Sequence, residues 1–584
     1  MKPAFYPFIV VVTAICMASC HQEVEITVDN TPDPPVWTFN SDDVELGTTD
    51  FDTFDIELDY SQLNERLYTD PSNQMYVENS KFGDVINVVY KGDKAVVSCE
   101  NSSDFSIKTD GAHVTINTNK DVACTLTGAT DNGSLKIIGD NKVCIKLNGL
   151  KLKNAQGPSI NNQSKQICFL VTDSISELRD DSIYADLGDS LKQKGCVYSK
   201  GPLAFSGKAP LKIIANGADA IHSGKTLFVR RGSNINIESN AGSAIKAKKK
   251  VMVEGGMLNI LSSGRGGHGI TAKEIVQIDG GRTTIISNTG PGKNGKNSRC
   301  INSDSIVAIM GGMVRVKDSS VGGKGIRAGH KFHAKNCIVD VLTFGTDDKV
   351  TGSKNRGIKG TDEIRIDSAR VRVRTENGWN EGLSSRRKVM INNSLVELKT
   401  RDDAISAGEP KTADIEINNG RVYAISGMDA IDSNGTIHIN SGLVFVIGQS
   451  KLCRGFDCDI NEFKIGFDAI VVSLGQITSP PTVKLLEHPA CFVTRPINDK
   501  EFCLSTTGMN DNLISFKTPD FRFSDTGFRA LVSIPEFKQN VSYDFCNGAI
   551  VKPKHTFHGL AIGGTVENKS VTDRHTFTKN YNEL

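Results

Sequence analysis

The fold is decided by three similar stretches of sequence, Asp219-Ala-Ile-His-Ser223, Ser243-Ala-Ile-Lys-Ala247 and His268-Gly-Ile-Thr-Ala272. Each stretch places an isoleucine between small or polar residues. A short apolar alternation typical of a strand follows, then a turn that often contains Gly-Gly, then a second alternation. The isoleucines stand 24 and 25 residues apart, which indicates copies of one repeating unit.

The same unit extends along the chain in both directions. Its central apolar residues are Val197, Ile221, Ile245, Ile270, Ile301, Ile326, Ile358, Leu383, Ile405 and Ile431. The two longest gaps contain glycine-rich insertions at 290–296 and 345–352. Short strands at this period, without helical periodicity or a leucine-rich consensus, predict an all-β fold: a right-handed parallel β-helix of about ten coils over 140–450. We expect the central apolar residues to stack inside, about 4.8 Å apart.

The regions outside the repeat divide the chain further. Residues 8–18 form an apolar run, and Met17-Ala-Ser-Cys20 ends it with small residues before a cysteine. This run is too short to span a bilayer and indicates a lipoprotein signal peptide, 1–20, which leaves Cys20 acylated and the protein anchored in the cell envelope, with the outer membrane expected. The alternative is an ordinary signal peptide cleaved near Ser19. We predict an acidic tether over 21–84, the β-helix over 85–450, and a cap with a β-rich segment over 451–584.

Charge and cysteine content narrow the function classes. Lys and Arg number 68 and Asp and Glu 67, and this balance argues against a general nucleic-acid partner. The cysteines show no paired zinc motif. Six of them lie in apolar strand-like contexts and are interpreted as small buried hydrophobes: Cys124, Cys144, Cys168, Cys196, Cys300 and Cys337. Cys453 and Cys458 are the best candidates for a disulfide in an exported protein.

Several stretches resemble a family of bacterial carbohydrate-binding β-helix proteins. Asp131-Asn-Gly-Ser-Leu-Lys-Ile137 and residues 145–160 are similar to its opening, and residues 195–207 to the coil that leads into its Asp-Gly-Ile repeats. Residues 513–519 and 532–538 are similar to its terminal domain. The resemblance covers about 85–560. It implies binding of plant-type polysaccharides, cellulose and pectin among them, with calcium ions along the helix.

Stacked coils turn equivalent positions of the repeat into rows of side chains. The leading row, two residues before each central apolar residue, comprises Asp219, Ser243, His268, Arg299, Lys324, Arg356, Glu381, Asp403 and Asp429. The trailing row, one residue after it, comprises His222, Lys246, Thr271, Asn302, Arg327, Lys359, Ser384, Ser406 and Asp432. Both rows are basic in the middle, where the related family usually has Asp. The basic stretch is either a solvated face or a groove for an acidic or sulfated glycan.

Two further sets of residues are candidate ligand groups. Asp402, Asp403, Asp429 and Asp432 cluster on the last coils, with Asp219 alone at the start, and carboxylates suit calcium. The alternative is turn residues that bond their own backbone. The basic residues in mid-row put the family's central calcium sites in doubt. Trp379 is the best candidate for stacking on a sugar ring, and core filling is its alternative.

We predict a non-catalytic, carbohydrate-binding envelope lipoprotein that binds an acidic polysaccharide along the β-helix face. A structural or adhesive surface protein is the alternative. A polysaccharide lyase or hydrolase is less favoured: a lyase needs a base beside a calcium-bound uronate, and the acidic and basic clusters lie several coils apart. Asp403 and Asp429 are adjacent in the leading row and could meet a hydrolase's spacing, but nothing distinguishes them from ligands or turn residues.

Overall fold

Short parallel strands stacked in three columns make up most of the protein. The computed structural model describes residues 73–100, 105–185, 193–291, 297–449, 454–460, 462–497, 501–517 and 528–584. Cys20, the signal peptide and most of the predicted tether therefore lie outside the described residues, as does Cys453.

Column 1 carries the repeat motif. Its 14 described strands pair in parallel, each with the equivalent strand of the next coil. They are Ala112–Asn117, Gly133–Ile138, Ile160–Asn162, Gly195–Ser199, Asp219–Ser223, Ile245–Ala247, His268–Ala272, Arg299–Ser303, Lys324–Ala328, Arg356–Gly360, Glu381–Ser385, Ile405–Ala407, Ile431–Ser433 and Phe456–Cys458. Ser106–Asp110 pairs antiparallel with the first of them.

Columns 2 and 3 complete each coil. Column 2 contains Cys168–Thr172, Leu203–Ser206, Leu227–Val229, Lys250–Val253, Ile275–Ile278, Ile306–Ile309, Lys331–Lys335, Glu363–Asp367, Lys388–Asn392 and Asp414–Asn418. Column 3 contains Ser176–Asp180, Pro210–Ala215, Asn234–Ser239, Met257–Ser262, Arg282–Ser287, Met313–Asp318, Ile338–Thr343, Arg370–Thr375, Leu395–Thr400 and Gly420–Ser426. Longer strands run through both columns at the two ends: Asp84–Lys91, Val122–Thr130, Val143–Asn154, Thr436–Gly448 and Glu462–Gly475.

The remaining strands lie at the ends of the array. Lys94–Cys99 pairs antiparallel with Asp84–Lys91. Ala490–Ile497, Phe528–Ser533 and Tyr581–Glu583 extend the large sheet beyond the last coil. A separate antiparallel sheet contains Glu501–Thr506, Ile514–Lys517, Ser542–Asn547, Ile550–Phe557, Leu560–Glu567 and Ser570–Thr576. Among the described residues, short 3-10 turns occur at Val77–Asn79 and Val483–Leu485.

The interior is a stack of equivalent apolar residues. Ile245, Ile270, Ile301 and Ile326 pair in register on successive coils and are fully buried. Burying one such side chain stabilises the fold by about 1.5–3 kcal/mol. A single coil cannot bury its own isoleucine, so this stabilisation depends on the coils that stack on either side of it. The turns stack equally closely, because a Cβ at Gly281, whose φ is +75°, would lie 2.3 Å from the Gly256 carbonyl oxygen.

These observations confirm the all-β, parallel β-helix prediction with its β-rich C-terminal part. The array is longer than the expected ten coils, since Val114 and Leu135 begin it before the repeat motif is recognisable. The six cysteines interpreted as buried hydrophobes are buried and free of disulfides. Within the described residues, no helix is long and apolar enough to cross a membrane.

Candidate functional site

The predicted rows of side chains lie on the outer face of column 1. In the leading row, His268, Arg299, Lys324, Arg356 and Glu381 pair coil to coil in register. The trailing row aligns equally, through Asn302, Arg327, Lys359 and Ser384. The structure therefore brings all five predicted basic residues onto three consecutive coils.

The central lysine of the leading row is more buried than a solvated face would allow. Lys324 is only 6% exposed. Its Nζ donates hydrogen bonds to Ser353 Oγ at 3.0 Å and to the Lys354 carbonyl at 3.1 Å. Both acceptors directly follow the second glycine-rich insertion, whose chain folds back over this coil. The interpretation of all five residues as a fully solvated row is therefore wrong at Lys324.

Arg356 has a carboxylate partner one coil further along its own row. Its Nε and Nη2 donate to the two carboxylate oxygens of Glu381 at 2.7 and 2.9 Å. Although burial alone would lower it, this hydrogen-bonded pair raises the pKa of Arg356. The same contact lowers the pKa of Glu381 against the effect of burial. Arg356 is thus fixed and neutralised, and its charge is not available to a ligand without cost.

The other basic side chains have too few anions around them. Arg327 Nη1 contacts Asn302 Oδ1 and the Ser303 carbonyl, both at 3.2 Å, and lies 3.9 Å from Asp304. Among the residues that the structure describes, Arg299, Lys324 and Lys359 form no ion pair with a carboxylate, and Arg299 Nε is buried without a hydrogen-bond partner.

These cations lower one another's pKa. Burial, followed by the charges of Arg299 and Arg356, lowers the pKa of Lys324 to about 7. Burial and the Arg327 charge lower the pKa of Arg299 to about 10, and burial and Arg356 lower that of Lys359. The face therefore carries excess positive charge that an anion would relieve.

The acidic end of the rows shows the opposite imbalance. Burial, then Asp432 and Asp402, raises the pKa of Asp403 to about 8. Burial, then Asp457 and Asp429, raises the pKa of Asp432 to about 7. Asp403 Oδ1 accepts the Asp429 backbone N–H at 3.0 Å. These carboxylates repel each other, and a bound hard cation such as calcium would reduce this repulsion.

Their present geometry does not gather ligand atoms around one point. Within the described part of the chain, the one group of three ligand side chains with all ligand atoms within 4.8 Å of one another is Asp414, Glu416 and His438, on column 2. Lys388 Nζ already lies 3.1 Å from Asp414 and 2.8 Å from Glu416 there. The donor chemistry at Asp403 and Asp432 suits calcium, but the side chains would have to rotate toward it.

The two remaining predicted site residues have distinct surroundings. Asp219 Oδ2 lies 2.8 Å from His222 Nδ1, and its Oδ1 accepts the Ser243 N–H at 2.8 Å, so its oxygens are already engaged. Trp379 is 57% exposed, and its backbone N–H points to Asp347 Oδ2 at 3.4 Å. The alternative that Trp379 fills the core is therefore wrong, because its side chain is open to solvent. Trp379 lies two residues before Glu381, a member of the leading row.

Sequence reasoning missed one pairing and two further residues. Glu381 was assigned to the leading row directly after Arg356, but its ion pair with Arg356 was not predicted although the opposite charge was a signal for it. Asp457 pairs in register with Asp432 and extends the acidic end by one coil. Ser353 gave no signal, because its contact depends on how the insertion folds.

One comparison with known proteins identifies a family for this chain. The family model described as carbohydrate-binding domain-containing protein matches residues 110–349 and 345–455, more than half of the chain. The chain belongs to this family. The matched residues of this carbohydrate-binding domain run from column 1's first strand almost to its last, and they include both rows.

Two other comparisons add less. Among curated proteins, none matches the chain significantly. A solved structure, that of the polysaccharide lyase-like protein from C. thermocellum as a gadolinium derivative, is 19% identical and covers 46% of this chain and 98% of that chain. Its TM-score is 0.34, too low to support an inference about this protein.

Proposed function

We propose that this carbohydrate-binding protein holds an acidic polysaccharide, uronate-containing or sulfated, along the outer face of column 1. The supporting observation is the excess of cations on three coils, where Arg299, Lys324 and Lys359 have no carboxylate partner among the described residues. Carboxylate or sulfate groups of a glycan would supply the missing anions, and arginine binds them with paired donors.

The glycan chain would run along the helix axis, across successive coils. Arg327 and Lys359 are adjacent in the trailing row and are the accessible cations for its charged groups. The exposed ring of Trp379 would stack on a sugar at the edge of the same face. The side chains of Lys324 and Arg356 form the less accessible part of the site. Hydrogen bonds to Ser353 and Lys354 hold Lys324, and the ion pair with Glu381 holds Arg356.

The test is a calorimetric titration of polygalacturonate and of a neutral glucan into wild type and Arg327→Gln/Lys359→Gln. Loss of about 1 kcal/mol per charged contact predicts roughly 30-fold weaker binding of the polyuronate by the variant. Lys335→Gln/Lys484→Gln, which removes two exposed lysines elsewhere, should bind like wild type. Equal affinity of all three proteins for the polyuronate would refute the basic groove.

Calcium and a lipid anchor belong to the same proposal. Asp402, Asp403, Asp429 and Asp432 would hold a calcium ion at the acidic end, where it would neutralise the mutual repulsion that adds to burial in raising their pKa values. Acylated Cys20 would keep the domain in the cell envelope, facing its polysaccharide. Calcium titration monitored by calorimetry tests the first part; no heat, and no change in thermal stability, would contradict it.

Lyase activity is the second candidate function, and one observation favours it. The lowered pKa of Lys324 makes it a base near neutral pH, beside arginines that could neutralise a uronate carboxylate. Its burial and its hydrogen bonds to the insertion oppose access to a sugar ring. Ultraviolet absorbance of unsaturated products from polygalacturonate separates an enzyme from a binder: release that is lost in Lys324→Met would favour the lyase.

A further inference from the structure

The outer face of column 3 carries a second cluster of positively charged side chains, separate from the two rows of column 1. Arg370, Arg372 and Arg374 alternate with the buried residues Val371 and Val373 along one strand, so all three point outward. Together with two arginines on earlier coils they form the arginine face: Arg282, Arg315, Arg370, Arg372 and Arg374.

Cations outnumber carboxylates on this side of the helix. In the five strands from Arg282–Ser287 to Leu395–Thr400, the positions that alternate with interior residues hold seven arginines and lysines but two carboxylates, Asp340 and Glu397. Glu397 contacts Arg372, and its other oxygen lies 3.0 Å from His558 Nε2. Even with Glu376, which lies 2.7 Å from Arg374, the side carries a net positive charge that attracts anions.

The chain itself contains a segment whose charge is opposite to that of the arginine face. Residues 42–59 include eight Asp and Glu and no Lys, Arg or His. Within it, Asp55-Ile-Glu-Leu-Asp59 alternates acidic and apolar residues. In an extended chain, residues two apart stand about 6.6–6.8 Å from each other, which equals the spacing of alternate arginines along a strand.

The point where the described chain begins places this segment within reach. Tyr76 Oη donates to Glu254 Oε1 at 3.0 Å, and Arg230 Cζ lies 3.9 Å from the centre of the Tyr76 ring. Glu254 lies in the turn before Met257–Ser262, one coil before Arg282. The strand with Arg370 is four coils from Met257–Ser262, about 19 Å along the axis. Residues 60–72 can span about 43 Å.

We propose that the acidic segment 42–59 binds the arginine face of column 3. The segment would then lie along the side of the β-helix, on a face separate from the glycan-binding rows of column 1. This inference does not depend on the proposed polysaccharide specificity, because both partners belong to one chain and the contact needs no ligand.

Hydrogen–deuterium exchange of the full-length protein tests the contact. Arg282→Gln/Arg315→Gln/Arg374→Gln removes three charges from the face and leaves the pairing of Arg372 with Glu397 in place. At low salt we expect amides of 50–59 to exchange about tenfold faster in this variant than in wild type, since each lost ion pair weakens the contact. High salt should produce the same acceleration in wild type.

A second variant keeps the test independent of folding. Asp55→Asn/Glu57→Gln/Asp59→Asn changes only the segment and should show the same acceleration. Arg265→Gln/Lys273→Gln/Arg387→Gln, which removes three exposed charges elsewhere, should exchange like wild type. Equal exchange of 50–59 in wild type and both test variants would overturn the proposal. Protection of Arg370–Thr375 that arises only on adding polygalacturonate would also overturn it, in favour of a glycan.

Discussion

Asp403→Asn should stabilise the protein relative to wild type increasingly as pH rises above about 4. The folded-state pKa of Asp403 is raised to about 8, first by burial and then by Asp432 and Asp402. The folded state therefore binds a proton that the unfolded state has released, and stability is lost as pH rises from about 4 toward 8. One bound proton changes the unfolding free energy by at most about 1.4 kcal/mol per pH unit.

Between pH 6 and pH 8 this limit is about 2.7 kcal/mol. Asp403 is partly exposed and titrates together with Asp432, which reduces the expected loss to about 1–2 kcal/mol. The asparagine side chain of the variant carries no charge, and its Oδ1 can still accept the Asp429 N–H. Asp403→Asn should consequently lose less stability over this range, so that its stability relative to wild type rises by about 1–2 kcal/mol between pH 6 and pH 8.

Thermal unfolding followed by circular dichroism at pH 5, 6, 7 and 8, in the presence of a chelator, measures this directly. We expect the melting temperature of the variant relative to wild type to rise by about 2–4 °C between pH 6 and pH 8, and the difference to be smallest at pH 5. Asp131→Asn, at an exposed position, serves as the control. A pH dependence of Asp403→Asn identical to that of wild type would refute the reasoning from the carboxylate cluster.

Four further predictions concern other parts of the molecule. Arg356→Gln should destabilise by about 3–5 kcal/mol in urea unfolding, because it leaves Glu381 buried without its partner, and adding Glu381→Gln should restore most of the loss. Ile301→Ala should cost about 2–5 kcal/mol in the same assay, and a smaller cost would mean that the stacked interior relaxes. Trp379→Ala should weaken polysaccharide binding by about 5- to 20-fold without changing stability, because stacking contributes about 1–2 kcal/mol; unchanged affinity would remove Trp379 from the site. Cys20→Ser should release the protein from the membrane fraction or block its processing, and unchanged fractionation would contradict the lipoprotein prediction.

The column of isoleucines could be predicted because its cause is local and repeated. Each of Ile245, Ile270 and Ile326 lies in the same sequence context, and an apolar residue at a fixed period has only the interior to occupy. The registers of the leading and trailing rows follow from the same periodicity, so Arg327 and Lys359 were placed correctly on adjacent coils.

The environment of each row residue could not be predicted from the repeat. Lys324 is covered by Ser353 and Lys354, which follow an insertion whose path no periodicity specifies. The exposure of Trp379 depends equally on a turn that interrupts the repeat. The pair of Arg356 with Glu381 was accessible to sequence reasoning, since opposite charges in one row on adjacent coils lie side by side.

The location of the bound glycan tests most directly whether column 1 is the binding face. Hydrogen–deuterium exchange of wild type should be measured with and without saturating polygalacturonate at low salt. We expect slower exchange in the column 1 peptides that contain Arg299–Ser303, Lys324–Ala328 and Arg356–Gly360, and unchanged exchange in Lys388–Asn392 of column 2. Protection confined to columns 2 or 3, or no protection in any part of the β-helix, would contradict this expectation.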